Sequence, residues 1–134
     1  KIEYVETTIT NSGELLQAAQ SLVGKADAIF TPTDNTVASA MPVLSAEAAK
    51  AGIPVYTGAD SLVADGGFAT VGVDYTVLGR QVAEMIKRVI DGEPISDIPV
   101  ETLKEYEKII NATTAKQVGV EISEEVLKEF RVIE

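Results

Sequence analysis

Apolar runs along this chain repeatedly end in a polar turn that carries an aspartate, and residues at helical spacing follow. The pattern occurs at Ala28-Ile29-Phe30-Thr31-Pro32-Thr33-Asp34-Asn35, at Ile53-Pro54-Val55-Tyr56-Thr57-Gly58-Ala59-Asp60 and at Phe68-Ala69-Thr70-Val71-Gly72-Val73-Asp74. Strands that alternate with helices predict βαβ units and a parallel sheet, and such sheets bind ligands at the carboxyl ends of their strands. The three aspartates are therefore expected along one edge, with a ligand beside them.

Residues 2–9 place Val5, Thr7 and Ile9 on one face in rough alternation and predict a first, half-buried strand. Asn11 and Glu14 have capping-box spacing, and Leu15, Leu16, Ala19, Leu22 and Val23 recur helically until Gly24. A second strand is predicted over 27–31. Residues 36–51 read as helix, but Pro42 predicts a kink or two helices meeting there. The runs 53–57 and 68–73 read as strands buried on both faces, with one helical turn at 61–64 between them. The clearest helix is 75–91, with Tyr75, Leu78, Val82, Met85, Ile86, Val89 and Ile90 on one stripe and Gly92 as its stop. Residues 108–111 suggest an edge strand, Thr113 or Thr114 a cap for a short helix ending at Gly119, and Ser123 the start of the last helix.

Composition narrows the chemistry. With 134 residues and 46% hydrophobic content the chain fits one domain with a real core. A net charge of -10 with scattered cations repels phosphate backbones, so nucleic acid is not an expected partner. No apolar run approaches the ~20 residues of a membrane span. The chain holds neither Cys nor His, which removes thiol chemistry, disulfides, the usual general base and the usual metal ligands. No Gly-rich phosphate loop is present, and the acidic run Glu121, Glu124, Glu125 and Glu129 reads as a solvated helix face. Neither catalytic residues, nor a metal, nor a cofactor is expected. The first residue falls inside strand-like sequence without an initiator Met, so the start reads as a cut, with any export signal upstream.

The segment from Phe30 to Pro42, taken with Gly72-Val73-Asp74-Tyr75, Leu78-Gly79-Arg80-Gln81 and Asp97-Ile98-Pro99-Val100, resembles the solute-binding subunits of ABC importers. More narrowly, it resembles the group with a type I periplasmic-binding-protein fold associated with tryptophan, tyrosine or related ligands. The resemblance runs over essentially all of the chain and covers about the carboxyl-terminal half of a two-lobed member. It implies an α/β three-layer sandwich with a mostly parallel sheet, forming one lobe. It also implies that 75–100, with helix 75–91 and a strand at 98–100, belongs to the absent first lobe in the intact protein. Leaving the apolar stripe of that helix in water forfeits about 1.5–3 kcal/mol per large side chain. The helix is therefore expected to dock on the remaining sheet, to swap with a second copy, or to bind the amino-terminal lobe.

The implied function is non-enzymatic: capture of a small solute, an amino acid and in particular an aromatic one, in an interlobe cleft for delivery to a membrane permease. The implied location is extracytoplasmic, either periplasmic or as a surface lipoprotein. An effector-binding core of a transcription regulator shares this lobe, and a phosphosugar- or flavin-binding enzyme domain would use the same sheet edge. The expected ligand-binding residues are Thr33, Asp34, Asn35, Asp60 and Asp74. Thr33, Asp34 and Asn35 would wall the cleft at a helix mouth whose amides suit an anion, although Asp, Asn and Thr are also ordinary caps. One of Asp34, Asp60 and Asp74 would take a ligand ammonium. Asp60 equally fits a plain turn, and Asp74 a cap at the interlobe crossing. Tyr56 and Tyr75 are secondary stacking residues that packing explains as well.

Overall fold

Residues 2–134 are described in a computed structural model. Helix α1 (Leu15–Leu22) turns Leu15, Ala19 and Leu22 inward at the helical spacing of the sequence. Glu14 reaches back to the Thr10 amide at 2.8 Å, and Asn11 accepts from Gly13 inside a 3-10 turn, so the expected box forms one residue early. Gly24, at φ +74°, lets the chain reverse after the helix.

Strand β1 (Ile29–Thr31) leads through Asp34 into α2 (Asn35–Ala38) and α3 (Met41–Lys50). Pro42 falls in the first turn of α3, where a missing N–H breaks no intrahelical bond, so the interrupted pattern resolves into two helices. The same grammar gives β2 (Val55–Thr57), α4 (Asp60–Ala64), β3 (Ala69–Gly72) and α5 (Tyr75–Ile90). Strand β4 (Glu107–Asn111), α6 (Ala112–Val118), α7 (Glu124–Glu129) and β5 (Arg131–Ile133) complete the chain.

The five strands lie in the order β1-β2-β3-β4-β5, and every pairing is parallel except β3 with β4. Three expectations are corrected here. The strand predicted near 108–111 is interior, because β5, three residues at the very end of the chain, pairs along its outer side. Asn111, not Thr113 or Thr114, caps α6: its Oδ1 accepts the Thr114 amide at 2.9 Å. Residues 2–9 join no ladder, and 2–8 are exposed, although their alternation is strand-like. Alternation specifies a face but not a partner, and 2–9 do not pair with the open outer edge of β1, the end strand of the sheet. Lys1 lies outside the described residues.

The core gathers Leu15, Ala19 and Leu22 with Ile29, Met41, Leu44, Val55 and Leu62, which puts α1, α3 and α4 against one side of the sheet. On the other side Phe68, Ala69 and Ile110 meet Val126 and Phe130 from the α7 region. That second cover stops short of the first strands. Phe30 (70%), Tyr56 (41%) and Val71 (60%) are exposed on it, so β1 and β2 are buried on one face and not on two, and β3 is covered on the second face only at Ala69.

Helix α5 leaves the sheet at Asp74 and does not dock back onto it; its one buried residue is Gln81. Gln81 Nε2 donates to Glu101 Oε2 (3.0 Å) and to the Thr102 carbonyl (2.9 Å), and Arg88 bridges Glu93 and Glu101. Helix and following segment thus hold together as a unit, with Val82, Ile86, Val89 and Ile90 exposed. Residues 98–100 form no strand, and Val100 is fully open to solvent.

Candidate functional site

Parallel strands put the turns after β1, β2 and β3 at one edge, and two glycines draw the last two turns together. A Cβ at Gly72 would lie 2.5 Å from the Gly58 carbonyl oxygen and 2.3 Å from Thr70 Oγ1, so the approach requires glycine. Val73 donates to the Gly58 carbonyl at 3.2 Å, and a bridge pairs Ala59 with Val73. The buried Thr70 hydroxyl donates to the Thr57 carbonyl at 2.6 Å and locks the same junction. Gly58 also lets its turn close on Thr33, since a Cβ there would sit 2.7 Å from Thr33 Oγ1.

A cavity of about 250 Å³ opens at this edge, lined by Thr33, Asp34 and Asn35 from the first turn, Ala59 and Ser61 from the second, and Tyr75 from the third. Asp34 Oδ1 accepts the Val37 amide at 3.0 Å, and that bond holds its carboxyl below the ordinary aspartate range. The helix it caps is a single turn. An ionised carboxylate at its mouth offers a partner for a cation.

Asp60 and Asp74 belong to the same edge but do not line the cavity. Asp60 Oδ1 accepts its neighbour Ser61 N at 2.8 Å, and Asp74 Oδ1 accepts Thr76 N and Val77 N at 2.7 and 3.0 Å. The Val77 amide is the main reason the Asp74 carboxyl titrates low, with the Thr76 amide and the Arg131 charge adding to it. Oxygens of Asp60, Asp74 and Glu107 lie within 4.8 Å of one another. Arg131 Nε donates to Glu107 Oε1 at 2.5 Å, and its charge is held by that bond and by Glu107, Asp60 and Asp74.

The sequence-predicted residues therefore divide: Thr33, Asp34 and Asn35 share a cavity wall, while Asp60 and Asp74 form a neighbouring carboxylate group. Tyr75 contributes to the wall. Tyr56 is on the sheet face, edge-on to Phe68 at 5.3 Å, and packs there. Glu107 and Arg131 escaped the sequence reading, and no local motif marks them. The shared Gly-x-Asp spacing of Gly58-Ala59-Asp60 and Gly72-Val73-Asp74 is a signal that could have marked these two turns as neighbours. Chemically, the wall offers hydroxyls, an amide, an anionic carboxylate and an aromatic ring, a set suited to holding a polar solute.

Comparison with known proteins bears on that set. A family model described as "ABC transporter substrate binding protein" matches residues 1–132. A tyrosine-binding protein of Clostridioides difficile (strain R20291) is 41% identical over 119 residues, which are 89% of this chain and 34% of that protein. A conserved domain protein of Vibrio cholerae O1 biovar El Tor superposes with a TM-score of 0.86 at 34% identity, over 97% of this chain and 44% of that one. An ABC domain from Streptococcus pneumoniae in complex with L-Trp superposes with a TM-score of 0.83 at 33% identity, over 93% of this chain and 43% of that one. The chain thus spans about a third of the curated relative's length and less than half of each solved structure. Matched over almost its whole length by the family model, this chain belongs to the ABC transporter substrate-binding protein family.

Proposed function

We propose that this chain forms one wall of a cleft that captures a free amino acid, aromatic in its side chain, for delivery to the membrane permease of an ABC importer outside the cytoplasm. The observation that carries this reading is the one-sided cavity in which Asp34, Thr33 and Asn35 face Tyr75. The Asp34 carboxylate takes the ligand ammonium in a charge-assisted hydrogen bond, Thr33 and Asn35 fix its orientation, and Tyr75 offers a ring against an aromatic side chain. The tyrosine-binding relative and the L-Trp complex support this ligand class. The ligand's carboxylate and its far face are met by the first, amino-terminal lobe. Residues 75–100 belong with that lobe, because α5 and the segment after it cohere with each other and leave an apolar stripe open.

Closure of two walls on a solute is a population shift that requires contact with both, so one wall alone holds the solute poorly. The test is calorimetric titration of L-tyrosine and L-tryptophan into this chain and into a protein extended to the relatives' full length. Tight binding by the extended protein with none measurable for the chain is the expected result. Equal affinity for both, or no binding of either amino acid by the extended protein, overturns the reading.

A further inference from the structure

Three carboxylates from three different elements meet where the chain passes from β3 into α5. Asp60 starts α4, Asp74 caps α5, and Glu107 starts β4 opposite Gly72 in the antiparallel ladder. Their oxygens lie within 4.8 Å of one another, a separation at which like charges drive a surface cluster apart unless a cation intervenes. The topology brings one. Because β4 runs antiparallel to β3 and β5 runs parallel to β4, the beginning of β5 lies at the same sheet edge as the end of β3. Arg131, the first residue of β5, pairs in register with Ile109, two residues along from Glu107. Its guanidinium donates to Glu107, whose carboxylate is the one that meets those of Asp60 and Asp74.

We infer that Arg131 is a positioning residue, the built-in counter-cation that latches Asp60, Asp74 and Glu107 together and so fixes the direction in which α5 leaves the sheet. The latch ties the last strand of the chain to the crossing beside the cavity. Asp74 caps Thr76 and Val77 at that junction, and the latch balances the negative charge beside it. Its bearing on solute capture rests on the cleft reading above, since Tyr75 follows Asp74 directly. The latch itself does not depend on that reading.

The test compares thermal midpoints of the wild-type chain, Arg131→Gln and the double variant Glu107→Gln/Arg131→Gln, with and without millimolar calcium at constant ionic strength. Calcium is the probe because an uncompensated carboxylate cluster gains affinity for a hard cation that the guanidinium otherwise replaces. Arg131→Gln should lower the midpoint by about 4 °C or more. Calcium should restore much of that loss while leaving wild type unmoved, and removing the Glu107 charge should restore part of it without calcium. Amide exchange at Thr76 and Val77 should quicken in Arg131→Gln and slow again with calcium. If Arg131→Gln does not fold alone, its recovery by calcium or by Glu107→Gln supports the latch. A midpoint indistinguishable from wild type, or a loss that neither calcium nor Glu107→Gln relieves, overturns it. No solute enters these measurements, so their failure leaves the cleft reading standing.

Discussion

Asp34 has two duties that substitution can separate. Its carboxylate caps the turn of α2 through the Val37 amide, and in the proposed cleft it meets an ammonium. Serine caps about as well as aspartate but carries no charge. Asp34→Ser should therefore leave the thermal midpoint nearly unchanged while weakening amino-acid binding by the extended protein roughly ten- to a hundredfold, read by calorimetry. The low-titrating carboxyls also fix an acid limit. For Asp34 and Asp74 the folded pKa lies below the unfolded value of about 3.9, so their contribution is complete above that value and disappears as pH falls through the depressed folded pKa. The midpoint should be flat from neutral pH to about 5 and fall below about pH 4. In Asp74→Asn, which keeps a cap, that fall should be shallower. At this scale much was legible: Asp34, Asp74 and Ser123 sit where their residue types predict caps, because a cap is a bond to an amide two or three residues away. Arg131 was not, because its partners come from β4 and from the turns after β2 and β3.

Among the longer helices, α3 turns an apolar stripe into the core and α5 leaves its stripe open. Met41 at the start of α3 has no exposed surface and anchors the larger core cluster. Met41→Ala should cost about 2–5 kcal/mol in denaturant unfolding, the range for cavity formation at a buried site. On α5, Ile86 is 54% exposed, and Ile86→Glu should change the stability of this chain by less than about 0.5 kcal/mol. In the extended protein the same substitution should be strongly destabilising, because there the proposed first lobe covers the stripe. Equal, small effects in both proteins would place that stripe in solvent and remove 75–100 from the first lobe. The amphipathic period of α5 was plain in the sequence, yet period specifies a face and not its partner. The same limit explains residues 2–9, whose alternation is strand-like but which find no ladder, and β5, too short for any period to show.

At the scale of the molecule, βαβ grammar set the architecture: parallel pairing of β1, β2 and β3 follows from helices between strands, and it gathers the three aspartate turns at one edge. The sequence by itself determined the elements from α1 to α5, the break at Pro42, most of the caps and the common edge, since each depends on residues within a few positions of one another. The tertiary structure alone decided that β4 inserts antiparallel between β3 and β5, that the second sheet face stays open at Phe30 and Tyr56, and that Asp60 and Asp74 gather beside Glu107 rather than line the cavity. Those outcomes depend on which distant segments share an edge or a face, and the free energy of such contacts comes from surface buried between them, which no local pattern encodes.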